Sequence, residues 1–279
     1  MRPSTSAATP GLFAIGRRLA RFGVCAALFA VLGGCGGTTS NIVFQSDFSQ
    51  TPANQPPAHV QEVGTANVDG PPGSVVVVPS PEAGDGSKWV QILRPSEFSQ
   101  IAAFQGKLAQ FGGVGSYTFT AVIFIPGPGI DERVIPNTSY GSVQFERFDQ
   151  PASDYSGFMH LDFVPDGKGN NRVRIDDLNA TEFGSFPIGK SFDVQVRLTI
   201  GQTSSAHISL LGNGASGDAD YTILYPGVAA GFGAIRLWLG TPWVGSFDAT
   251  QILVFKDKCE ERLAIRCDLP PRPTTNRAD

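Results

Sequence analysis

Few ionisable side chains in this sequence stand at spacings that bring them together. Glu146 and Asp149 are three apart, and His160 and Asp162 are two apart. On an extended strand successive side chains point to opposite faces, so His160 and Asp162 share a face and Glu146 and Asp149 do not. Carboxylate and imidazole groups of this kind serve general acid–base chemistry, and a His–Asp pair also suits a metal ion. The alternative for each is a polar residue that only faces water on a half-exposed strand. One pair falls short of the three or four ligands a metal centre takes. A second set, Trp238, Trp243, Tyr140, Phe148 and Tyr155, offers flat rings on which a sugar could stack, with Glu146, His160 and Asp162 as polar neighbours. Trp238 alternates out of phase with Ile235, Leu237 and Leu239, which places it on the other face of its strand. The competing reading is that these rings pack in a core, where most aromatics go. The sequence has no nucleophile elbow, no phosphate-binding glycine loop and no dinucleotide fingerprint. Nothing in the pattern requires catalysis.

The elements that would position these residues read as strands. Tyr117 to Ile125 alternates with both faces apolar, as a strand inside a sandwich does. Phe192, Val194, Val196, Leu198 and Ile200 alternate cleanly with Asp193, Gln195, Arg197 and Thr199, which predicts a half-exposed antiparallel strand. A polar turn at 201–205 leads into Ala206, Ile208 and Leu210, and Gly212-Asn213-Gly214 closes that hairpin. Further strands are expected at Val75 to Val78, Trp89 to Leu93, Val143 to Phe148, Phe158 to Val164, Arg172 to Ile175, Ile235 to Leu239 and Gln251 to Phe255. Asp166 to Asn171 is a polar turn between two of them. One helical stretch is expected, Ser96 to Gln110. Many short strands without strand–helix alternation predict an all-β, two-sheet antiparallel sandwich or jelly roll.

Composition agrees. The chain has 33 glycines, 21 prolines and 20 phenylalanines in 279 residues, with 41% hydrophobic and 16% charged residues. That balance supplies turns, strand-forming side chains and material for one core. Arg2, Arg17, Arg18 and Arg21 put four positive charges and no acid into residues 1–34 of a chain whose net charge is −4, so the remainder carries −8. Such a body lacks the basic face that nucleic acid requires, and charge gives it no attraction to anionic lipid.

Three segments carry a family resemblance. The opening Phe44-Gln-Ser-Asp47-Phe48, the run Phe192 to Ile200 followed by a turn and His207 to Asn213, and the closing Phe247-Asp248-Ala-Thr-Gln-Ile252-Leu-Val254 resemble concanavalin A-like lectin/glucanase domains. The resemblance covers about residues 41–257 and implies a jelly-roll sandwich. Its laminarinase-like members carry a Glu-x-Asp-x-x-Glu triplet on one strand face, because retaining hydrolysis needs two carboxyls about 5 Å apart. This sequence has no such triplet. Many of these sandwiches hold a structural calcium near the first and last strands, and Asp47 and Asp248 stand in matching places. The alternative is that both aspartates cap turns by accepting backbone amide hydrogens.

The N-terminus has the plan of an export signal: a basic leader through Val24, a short apolar run Cys25-Ala-Ala-Leu-Phe-Ala-Val-Leu32, then Gly33-Gly34-Cys35. The apolar run is too short for the roughly 20 residues of a membrane-spanning helix. Leu32-Gly33-Gly34-Cys35 resembles the lipobox of bacterial lipoproteins. That resemblance implies diacylglycerol on the Cys35 thiol, cleavage after Gly34 and acylation of the new amino group with chains of the palmitate type. Gly33 is a less usual occupant of its place than Ala or Ser. An ordinary secretory signal, leaving Cys35 a plain thiol, and an uncleaved anchor are the alternatives. With no Asp after Cys35, enterobacterial sorting rules imply the outer membrane of a Gram-negative cell envelope. Cys259 and Cys267 remain for a short disulfide loop in an oxidising compartment, with two free thiols as the alternative.

The domain plan is therefore a signal at 1–34, a flexible tether at 35–40, a β-sandwich at 41–257 and a tail at 258–279. The expected role is a membrane-anchored lipoprotein whose non-catalytic sandwich binds glycan or another envelope component. A lipid-anchored polysaccharide hydrolase or lyase with an atypical site, or a purely structural surface lipoprotein, are the alternatives.

Overall fold

The computed structural model describes residues 40–82, 84, 86–94, 100–109, 115–126, 139–147, 157–165, 171–175, 181–224, 231–239 and 245–257. Among them, every regular element is a strand. The first five are β1 (Ser40–Ser46), β2 (Thr65–Asp69), β3 (Val75–Pro79), β4 (Lys88–Leu93) and β5 (Ala102–Lys107). Next come β6 (Gly115–Phe124), β7 (Gly141–Arg147), β8 (Gly157–Pro165), β9 (Asn171–Ile175) and β10 (Thr181–Phe183). The last are β11 (Ser191–Ile200), β12 (Ser204–Leu211), β13 (Gly217–Ile223), β14 (Phe232–Leu239) and β15 (Ser246–Asp257).

They form two antiparallel sheets. One has eight strands in the order β13-β12-β11-β6-β15-β4-β3, with β1 also paired to β15; the other has seven in the order β10-β9-β8-β7-β14-β5-β2. β15 is paired along one edge by two different strands, β4 at Ser246 to Ala249 and β1 at Ile252 to Asp257. The changeover falls at Gln251, a non-glycine residue with φ of 50°, where the pairing to β6 slips register. A residue in that left-handed region inside a strand marks a bulge, and the bulge lets one long strand serve two neighbours.

The sequence periodicity is realised where it is strongest. β11 buries Phe192, Val194, Val196, Leu198 and Ile200 and turns Asp193, Arg197 and Thr199 outward. It pairs antiparallel with β12 as the expected hairpin. The expected helix at 96–110 is overturned: Ala102–Lys107 is a strand with neighbours on both sides, β14 and β2. Its alanines and glutamine favour a helix in isolation, but two ladders of backbone hydrogen bonds and burial of five of its six residues outweigh a propensity of a few tenths of a kcal/mol per residue.

Aromatic rings from the two sheets meet edge-on between them. Phe119 meets Phe145 at 5.3 Å, Tyr117 meets Phe232 at 5.5 Å, Phe163 contacts Phe247 at 5.5 Å, and Phe44 reaches Phe104 at 6.4 Å. Gly106 on β5 makes the last approach feasible, because a Cβ there would stand 2.5 Å from the Phe44 ring. This core fixes which face of each strand points inward. The candidate site lies on the other face of the seven-stranded sheet.

Candidate functional site

In the strands of the seven-stranded sheet, residues alternating with the core side chains are mainly polar, and antiparallel register lines them up. Asn67, Gln105, Arg236, Gln144 and His160 are successive cross-strand partners from β2 through β5, β14 and β7 to β8. The next row crosses all seven strands: Asp69, Ala103, Trp238, Ser142, Asp162, Arg174 and Glu182. Directly opposed side chains sit about 5 Å apart at Cβ, so each row is a continuous polar strip.

These side chains are unusually buried for an outward face. Gln105, Gln144 and Glu146 are each 2% exposed, Asp162 5% and Arg236 6%. Part of the set is internally satisfied. The Gln105 amide donates to Glu146, the Ser142 hydroxyl donates to Asp162, and Arg174 donates to the other Asp162 oxygen at 3.2 Å. Arg236 donates to Asp69 at 3.3 Å. Among the described residues, Gln105 Oε1, Gln144 Nε2, Trp238 Nε1 and Arg174 Nε are buried and have no hydrogen-bond partner.

Gly157 shapes the middle of the site. It opens β8 where the pairing with β7 shifts register between Phe145 and Glu146. A Cβ at Gly157 would lie 2.4 Å from Gln144 Nε2 and 2.5 Å from His160 Nε2. The amide and the imidazole therefore converge on space that any side chain at 157 would take. Side by side they offer donors and acceptors.

Of the residues singled out from the sequence, Glu146, His160, Asp162 and Trp238 share this face. Trp238 points away from the core residues Ile235, Leu237 and Leu239, as its phase predicts. Tyr140 is partly buried and packs against the core, edge-on to Phe186 at 6.2 Å. Trp243, Phe148, Tyr155, Asp149, Cys35, Cys259 and Cys267 lie outside the described residues. Gln105, Gln144, Ser142, Arg174 and Arg236 were not anticipated, although Gln144 between Val143 and Phe145, and Arg236 between Ile235 and Leu237, carry the same alternation as Trp238.

The two buried carboxylates of the face, Glu146 and Asp162, stand apart. Asp162 is opposite Ser142, and Glu146 is four residues farther along β7, roughly 13 Å at the rise of a strand. Glu146 accepts from Gln105 and Asp162 from Ser142 and Arg174, so each is held in its own row. Two-carboxylate glycoside hydrolysis requires separations of about 5 Å or 6.5–9.5 Å, and this pair exceeds both.

The eight-stranded sheet holds Asp47 and Asp248 apart. Ser46 is opposite Ile252, so Asp47, one residue on, stands three residues from Asp248 along β15, roughly 10 Å at the rise of a strand. Among the described residues no three His, Cys, Asp or Glu side chains are grouped to hold a metal ion. Burial works to raise the Asp47 carboxyl, but bonds from Ser49 outweigh it and hold it below its ordinary value. The Ser49 amide donates to Asp47 at 2.8 Å, the turn-capping role. Asp248 is buried, accepts from Gln91 at 3.3 Å, and is pushed up to about 6 by burial against the opposing bonds from Ser246 and Gln91.

The outer face of this sheet also chains Asp220, His207 and Ser209. His207 Nδ1 stands 2.8 Å from Asp220 and its Nε2 3.4 Å from the Ser209 hydroxyl. Nucleophilic hydrolysis needs free donors for an oxyanion, whereas β12 is laddered to β11 on one side and β13 on the other. The trio is a surface network.

No family model and no curated protein matches this chain. Solved structures do. A carbohydrate esterase, vb_24B_21 from the Shiga toxin-encoding bacteriophage phi24B, matches with TM-score 0.53 and 13% identity over 80% of this chain and 100% of its own. The lectin UEA-II, solved with galactose, matches at TM-score 0.45 and 9% identity over 79% and 99%. An alginate lyase, Aly36B, solved with an alginate trisaccharide, matches at 0.45 and 12% over 78% and 99%. At these identities the likeness is one of fold. The chain is a two-sheet antiparallel jelly-roll sandwich.

Proposed function

We propose that this protein is a lipid-anchored envelope protein that binds glycan through the outer face of its seven-stranded sheet. The observation that carries the reading is the double row of mainly polar side chains that crosses the seven-stranded sheet, with Trp238 among them. A sugar hydroxyl both donates and accepts, so a glycan chain lying along the rows can meet amide, hydroxyl, imidazole and indole groups in turn. Trp238 adds an apolar ring surface to the same strip. The wide separation of Glu146 and Asp162 favours binding over two-carboxylate hydrolysis. Support for the anchor is the Leu32-Gly33-Gly34-Cys35 segment. Among the described residues no helix is long and apolar enough to cross a membrane.

The test is a glycan array probed with the full-length protein in detergent, run beside a reducing-sugar release assay. Binding that falls at least tenfold in Gln144→Ala and Gln105→Ala, with no sugar released, is the expected result. Sugar release would move the reading to an enzyme, and silence in both assays would refute a glycan function. Metabolic labelling with a fatty-acid analogue should be lost in Cys35→Ser, and unchanged labelling would sink the anchor.

A further inference from the structure

The anchor, if attached where the sequence implies, reaches the fold at a particular corner. β1 begins at Ser40, paired with Asp257 at the end of β15. Six peptide steps separate Cys35 from Asn41, and six fully extended residues span at most about 20 Å. Whatever the tether's conformation, this end of the β1/β15 pair stays within that distance of the lipid-bearing cysteine.

The same corner carries an apolar strip on the outer face of the eight-stranded sheet. Val43, Phe44, Ile252 and Val254 are in the core, so Ile42, Leu253 and Phe255 point the other way. Ile42 and Phe255 are direct cross-strand partners, and Leu253 follows two residues along β15 on the same face. Ile42 is 43% exposed, and the other two are half-buried. The adjoining strand presents uncharged Thr118 and Thr120. Beyond it come Arg197 and then His207 and Asp220, and Asp257, two residues past Phe255 on the same face, interacts with Arg197, so charge bounds the apolar strip on its outer side.

We infer that this strip is a membrane-contact patch: Ile42, Leu253 and Phe255 rest on the bilayer surface beside the lipid on Cys35. The inference rests on the anchor reading above. Three side chains fall short of the roughly 800 Å² per partner that a stable protein interface takes, so a second copy of the chain is a poor occupant. A bilayer at the end of a short tether is a good one. The lipid already restricts the domain to the surface, and a tethered contact forms at high effective concentration, so a small apolar patch suffices to orient it. With this corner turned to the membrane, the sheet bearing the polar rows is on the opposite side of the sandwich from the contact.

Hydroxyl-radical footprinting of the full-length lipidated protein in nanodiscs of phosphatidylethanolamine and phosphatidylglycerol tests this. Leu211 is an internal standard: it is 48% exposed, close to Ile42 at 43%, and sits on β12 opposite Asp193, toward the far end of the same face. Leu224, at 74%, is a second one. Oxidation of Ile42 at least threefold slower than that of Leu211, with Phe255 and Leu253 also protected, is expected. Ile42 oxidised as fast as Leu211 would overturn the inference. The mass of the N-terminal peptide reports lipidation separately: an unmodified Cys35 refutes the anchor, whereas a lipidated chain with an exposed Ile42 refutes the docking alone.

Discussion

Replacing Asp248 with asparagine should stabilise the protein above pH 6 and do little below pH 4. The carboxyl is 2% exposed and accepts from Gln91 at 3.3 Å. Burial raises it to about 6, against the bonds from Ser246 and Gln91 that lower it. The unfolded chain has an ordinary carboxyl near 3.9. Between those values the folded state binds the proton and the unfolded state does not, so stability falls as pH rises from about 4 through about 6. A shift of about two units corresponds to roughly 3 kcal/mol once both states are ionised. An asparagine side chain is isosteric with the carboxylate and uncharged, so Asp248→Asn removes that penalty and flattens this part of the profile. Urea denaturation of both proteins at pH 4 and pH 8 gives the comparison. The stability difference between variant and parent should move toward the variant by about 2–3 kcal/mol over that interval. In a domain of this size that is a rise in Tm of several degrees at pH 8. A difference that stays constant within about 0.5 kcal/mol from pH 4 to pH 8 would refute the reasoning, because it would mean that Asp248 titrates alike in both states.

Three further outcomes follow from the geometry. Gly157→Val should displace Gln144 and His160 and weaken glycan binding at least tenfold on an array, and intact binding would mean that their convergence is incidental. Asp162→Ala should lower stability by about 2–4 kcal/mol in urea titration, since it strands the Arg174 guanidinium and the Ser142 hydroxyl on a buried face; a loss under about 1 kcal/mol would show that the pair is solvated. Gly106→Ala should cost about 1–3 kcal/mol by forcing the Phe44 ring from its seat between the sheets, read as a lowered Tm without loss of binding.

How much of this was legible in the chain depends on the range of the interaction. Alternation is local, and it located β11, β12, β14 and the second half of β15, and put Trp238 opposite Ile235 and Leu237 without any tertiary information. It also placed His160 and Asp162 on one face. Where local preference and tertiary pairing disagree, pairing wins: Ala102–Lys107 has helix-forming residues and lies as a strand between β14 and β2. β2, β10 and β13 escaped for a related reason. Thr65–Asp69, Thr181–Phe183 and Gly217–Ile223 are edge strands, one short and the others half-exposed, and carry little apolar signal of their own.

The candidate site divides the same way. That Gln144 and Arg236 alternate with core residues is written in their own segments. That they are cross-strand neighbours, with Gln105 and His160 on either side, is set by the order β5-β14-β7-β8, which joins segments up to about 130 positions apart. The register also sets Asp47 three residues along β15 from Asp248, roughly 10 Å, because Ser46 pairs with Ile252 and a strand advances about 3.3 Å per residue. Local alternation was enough for the all-β class and for the inward and outward faces of the stronger strands. The tertiary structure alone decided which outward residues meet, because register is fixed by packing the apolar faces of two sheets against each other and no single strand contains it.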